Sequence, residues 1–133
     1  MLKTSERFKE WSECLKVADS FLNYLEANPS LAGTKYSRYM IAISLHFPEL
    51  IQKMSLKDGL YKKAEQEFSL DSSSIERSIR YLLNSTPLEH FEEVFGYEYI
   101  HVTIKQFFWI ANRFILAYPQ KLEKGLLTVK RFL

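Results

Sequence analysis

This chain is short of the residues that cross-link and punctuate a fold. Among its 133 residues there is one cysteine, Cys14, so no internal disulfide can form and a reducing, cytoplasmic setting is expected. Four glycines and four prolines are too few for the many tight turns of a β-sandwich or barrel. There is no glycine-rich phosphate loop and no glycine-flanked nucleophile elbow. No run approaches the roughly 18 apolar residues of a membrane helix, since the apolar stretch after Phe107 is cut by Asn112 and Arg113. The N-terminal turns are charged and hold no apolar signal core. His46, His90 and His101 stand at no metal-ligand spacing to one another or to Cys14, where a zinc site needs about four ligands in a tight pattern. No metal, cofactor or catalytic residue is therefore expected, and no membrane partner.

What the chain does have is apolar and aromatic material. Hydrophobic residues make up 47% and aromatics 15%, with ten Phe and eight Tyr, which predicts a core filled by large rings. The length suits one domain. Long helical patterns with few breaks predict an all-α bundle of about six to seven helices, containing a helix-turn-helix over about residues 60–84. The net charge of +2 is unevenly spread. Residues 49–98 hold six Lys/Arg against ten Asp/Glu, a local net charge of −4, and residues 99–133 hold six against one, a local +5. Phosphate binding calls for a basic footprint, so the acidic middle weighs against a strong grip there.

Residues 4–27 read as one amphipathic helix, with Phe8, Trp11, Leu15, Ala18, Leu22 and Leu25 on a stripe widened by Cys14 and Phe21. It is either docked on its own domain or a homodimerisation helix. Asn28-Pro29 is expected to stop it, and Asn28 to Thr34, including Gly33, reads as a loop. A second helix is expected over Lys35 to His46, with Tyr36, Met40, Ile43 and Phe47 on one side. Pro48 breaks it, a short helix over Glu49 to Met54 follows, and Ser55 to Gly59 turns. Glu89 to Val94 reads as a helical turn. Thr103 and Gln106 have capping-box spacing and open a helix whose apolar face is Ile104, Phe107, Phe108, Ala111, Phe114, Ile115 and Tyr118. Residues 117–133 read as a basic amphipathic helix or tail.

The stretch that carries most information is Leu60 to Asn84. Leu60, Ala64 and Phe68 give a first short helix, and Ser69-Leu70-Asp71 a tight turn. Asp71, Ser72 and Ser73 are all competent caps, and Ser73 with Glu76 has capping-box spacing. The second helix buries Ile75, Ile79, Leu82 and Leu83. Arg77, Arg80, Tyr81 and Asn84 fall at i, i+3, i+4 and i+7 on the opposite face. Arg can bond the O6 and N7 edge of guanine, and Asn the edge of adenine. Glu76 can accept from cytosine or pair with Arg80 at i+4. Lys62 and Lys63 can meet phosphates. A solvated amphipathic helix with internal ion pairs has the same spacing.

This segment resembles the DNA-binding effector domain of the stage-zero sporulation protein A family of Firmicutes. The family's Leu-Tyr-Pro, Ala and Phe read here as Leu60-Tyr61-Lys62, Ala64 and Phe68. Its Val-Glu-Arg-Ala-Ile-Arg run reads Ile75-Glu76-Arg77-Ser78-Ile79-Arg80. Gly33, Tyr36 and Ile41 resemble its opening helix, Phe95-Gly96-Tyr97 a later motif, and Thr103 and Phe107 the start of its closing helix, so the resemblance spans 33–116. It implies an all-α domain whose second motif helix reads duplex DNA in the major groove as a transcriptional regulator. The implied base-reading or site-ordering positions are Glu76, Arg77 and Arg80. With their neighbours, the candidate DNA-contacting set is Ser73, Ser74, Glu76, Arg77, Arg80, Tyr81 and Asn84, flanked by Lys62, Lys63, Thr103 and Lys105. The chain departs from the family at Ser74 (Arg there), at Tyr81 (His there) and at His101-Val102-Thr103-Ile104, where only Thr103 is kept. About 30 residues precede the resemblance, so no phospho-accepting receiver is expected within the chain. The same fold acting on a partner regulator is the rival expectation.

Overall fold

The computed structural model describes residues 10–51, 59–86, 88–95, 103–118 and 122. Among them are six α-helices, one 3-10 turn and no strand: α1 (Trp11–Tyr24), α2 (Ala32–His46), the turn Pro48–Ile51, α3 (Leu60–Phe68), α4 (Ser72–Ser85), α5 (Leu88–Phe95) and α6 (Ile104–Ala117). The chain is the all-α bundle its periodicity predicts. Expectations for Phe8, for 52–58, for Gly96 and Tyr97, for His101 and Val102, and for the basic tail beyond Leu122 lie outside the described residues.

Helix α2 is the centre of the bundle. It is buried on nearly every side, through Ser37, Met40, Ile41, Ala42, Ile43, Ser44 and Leu45. It packs most extensively on α1 and α4, and also meets α6, α3 and the 3-10 turn. A helix without a wide polar face can only be stable with neighbours all round. The expected start at Lys35 is too late, because the helix begins at Ala32 and takes in Gly33. The physical reason is a close crossing. A Cβ on Gly33 would lie 2.2 Å from the carbonyl oxygen of Ser78 on α4 and 2.7 Å from its carbon. Glycine is there because backbone meets backbone. Phe47, expected on the apolar side, is 40% exposed. It has left the helical path at φ −125°, ψ 81°.

Helix α1 is docked on its own domain. Cys14, Ala18, Phe21, Leu22 and Leu25 are buried in the shared core, with Trp11 and Leu15 packed at its edge. The apolar stripe from 11 to 25 is thus occupied within the chain. The helix does not run on to Asn28. It ends at Tyr24 in a Schellman arrangement: Glu26 adopts the left-handed region at φ 58°, the Ala27 N–H donates to the Leu22 carbonyl at 2.9 Å and the Glu26 N–H to the Asn23 carbonyl at 3.0 Å. Asn28 then makes its own turn, its Oδ1 accepting from the Ser30 N–H and hydroxyl.

Helix α6 starts as its spacing predicts. The Thr103 Oγ1 accepts from the Gln106 N–H at 3.1 Å, and the Gln106 Oε1 accepts from the Thr103 N–H at 2.9 Å. Ile104, Phe107, Phe108, Ala111, Phe114 and Ile115 are buried. Tyr118 is not part of that face, since it is 47% exposed after the helix ends at Ala117. Asn112, polar within an apolar run, ties α6 to α2. Its amide donates to the Ser44 hydroxyl at 2.8 Å and the Phe108 carbonyl at 3.0 Å, while Ser44 donates to the Ile41 carbonyl at 2.7 Å.

Candidate nucleic-acid interface

Helices α3 and α4 are joined by Ser69, Leu70 and Asp71, at the boundaries read from the sequence. Leu60, Tyr61 and Ala64 bury one side of α3, leaving Lys62 and Lys63 exposed. The C-terminal end of α3 is anchored on α2. The Phe68 ring lies 4.7 Å from Tyr36 and 5.3 Å from Tyr39, between ring centres, with the Lys35 ammonium 5.5 Å over its face. Ser69 then turns the chain through the left-handed region at φ 54°, ψ 42°.

Of the three competent caps, α4 uses Asp71, and the Ser73–Glu76 box is not formed. Asp71, extended at φ −78°, ψ 159°, is the N-cap, and its Oδ1 accepts from the Ser74 N–H at 2.8 Å. Glu65 of α3 reaches across the turn and accepts from the Ser72 N–H at 3.1 Å. With these two orphan donors met, Ser73 falls inside the first turn as an exposed helical residue and Ser74 is half-buried. The hydrogen bonds from the Ser74 backbone and hydroxyl hold the Asp71 carboxyl below its ordinary value, helped by the Arg77 charge.

Ile75, Ile79 and Leu82 are buried beneath α4, and Leu83 is packed at the core's edge. On the other side Arg77, Arg80, Tyr81 and Asn84 are exposed together, Tyr81 by 65%. Among the described residues the ion pair is Arg38–Asp19, on α2 and α1 at 2.6 Å. The Glu76–Arg80 pair allowed by spacing is not formed, and among the described residues neither Arg77 nor Arg80 is in an ion pair. Arg77 and Tyr81 also border a shallow groove of about 280 Å³ whose other wall is Leu31, Ala32 and Gly33. Glu76 is half-buried and faces inward, toward Tyr61.

The outlying candidates are less collected. The Thr103 oxygen already serves as the α6 cap, and Lys105 is exposed on the first turn of α6. Helix α6 touches α4 only lightly. Thr103 is thus a structural cap first, which accounts for its presence without a phosphate.

Two arrangements escaped the sequence. Cys14 Sγ lies 4.0 Å from His46 Nδ1, a thiol–imidazole contact across 32 residues for which no local spacing gives a signal. It is not a nucleophile poised for reaction. Cys14 is fully buried, and that burial, with the Glu13 charge beside it, pushes the thiol up to about 11. The second is an exposed aromatic groove of about 310 Å³ between α5 and α6, lined by Val94, Trp109, Arg113 and Tyr118 among others. The Arg113 guanidinium stacks 4.7 Å over the Trp109 ring. Among the described residues no group of three His, Cys, Asp or Glu could hold a metal ion, and no helix is long and apolar enough to cross a membrane.

Known protein families, curated proteins and solved structures contain no match to this chain.

Proposed function

We propose that this chain is a DNA-binding transcriptional regulator of the cytoplasm, not an enzyme, and that α4 reads the major groove. One observation carries the reading. Arg77, Arg80, Tyr81 and Asn84 stand exposed on one face of the second helix of a helix–turn–helix, with neither guanidinium in an ion pair among the described residues. Planar donors on an exposed helix face suit guanine edges. The resemblance to the sporulation regulator's effector domain supports the same positions. Selection from a random duplex library at low salt tests it. One motif should be enriched, and Arg77→Ala or Arg80→Ala should each cost about 1–3 kcal/mol on that site. Equal affinity for unrelated duplexes removes the reading.

A second reading, a module acting on a partner regulator, is favoured by the Trp109–Arg113–Tyr118 groove, because Trp, Tyr and Arg dominate interface energetics. Under that reading Trp109→Ala abolishes partner capture while no duplex is enriched.

A further inference from the structure

The Tyr61 hydroxyl is out of place as it stands. Tyr61 is 8% exposed, and its oxygen is sealed from solvent with no hydrogen-bond partner among the described residues. Buried polar groups are nearly always bonded, so an orphan asks for a partner gained in another state. Tyr61 is on α3, which packs against α4. Burial, then the Glu76 carboxylate, raises its ionisation, and the Arg80 charge opposes that rise. Glu76 acts on the hydroxyl through its charge and as a hydrogen-bond acceptor at the edge of reach, short of full hydrogen-bond geometry. Glu76 and Arg80 are one turn apart, the spacing of a helical ion pair, and that pair is also unmade. Tyr61, Glu76 and Arg80 are therefore complementary neighbours whose hydrogen bond and ion pair are not fully closed.

Resting on the DNA-reading role proposed above, we infer that Tyr61 is a positioning residue for Arg80: on the duplex its hydroxyl donates to the Glu76 carboxylate, and Glu76 then pairs with Arg80 and aims the guanidinium at a base edge. DNA supplies the missing condition by covering the α4 face. Exclusion of water strengthens both contacts. The guanidinium has five donors, so it can serve the carboxylate and a guanine together. Tyr61 itself touches no base.

The test uses the full chain and its selected duplex, with Tyr61→Phe, Arg80→Ala and the double variant. Tyr61→Phe should reduce discrimination at the base pair read by Arg80 by about tenfold. Its thermal midpoint without DNA should stay level or rise, because an unbonded hydroxyl is removed from the interior. In the Arg80→Ala background, Tyr61→Phe should have no further effect, as coupled residues are not additive. A fall in thermal midpoint with equal loss on all duplexes, or a full additional loss in that background, overturns the inference and leaves the DNA-reading role standing. If the wild-type chain enriches no site, that role itself fails and the inference falls with it.

Discussion

A single hydrogen atom at Gly33 sets the distance between α2 and α4. The Ser78 carbonyl occupies the place a side chain would take, and it belongs to backbone, which cannot rotate away. Gly33→Ala should destabilise the fold by about 3 kcal/mol, in the range of overpacked cores, read as a shift of the chemical denaturation midpoint without change of slope. It should also disturb the face that carries Arg77, since Arg77 precedes Ser78 in the chain. The sequence shows the glycine but not its purpose. Gly33 and Pro29 lie close together and look like one loop, and only the crossing of two distant helices tells them apart. Arg77 and Arg80 are the opposite case: helical periodicity alone puts them on the exposed side, and the structure puts them there. Phe47 and Tyr118 fit that periodicity too, yet each sits just past the end of its helix. A periodic pattern carries no mark of where it stops applying.

At the scale of elements, α3 and α4 were the most legible part of the chain. Their turn contains Asp71 flanked by apolar helical patterns on both sides, and its capping chemistry is local. Which of three competent caps is used was not legible, because Glu65 decides it from the preceding helix by taking the Ser72 N–H. The end of α1 was illegible for a related reason. A glutamate in the left-handed region carries none of the glycine signature of a helix stop. The Asp71 cap has a pH signature. Its folded-state ionisation is depressed, so its contribution is present above the ordinary aspartate value of 3.8 and is lost as pH falls through the lower folded value. Asp71→Ala should lower the thermal midpoint at pH 7, and the gap between variant and wild type should close in acid, as followed by circular dichroism between neutral pH and pH 3.

At the scale of the whole molecule, α1 belongs to the body of the bundle. The resemblance spans 33–116, yet Phe21, Leu22 and Leu25 fill the same core as Met40, Ile41 and Phe107. Phe21 is fully buried and edge-on to Phe114 of α6. Phe21→Ala should cost about 3–5 kcal/mol, measured by denaturant unfolding, and removal of residues 1–27 should abolish the cooperative melt. The division of charge along the chain was legible in the sequence. What was not legible is which helices lie beside α4: it packs on α2 and α3 and only lightly on α6, the helix that carries Lys105. The stacking of Phe68 on Tyr36 and Tyr39 has a further consequence. It clamps one end of the three-residue turn while the Asp71 cap clamps the other, so the mutual angle of α3 and α4 is set before any partner arrives. Under the DNA-reading proposal, such pre-assembly means that α3 and α4 need not refold against each other when a duplex arrives. Residence time on a site would then carry no slow refolding step.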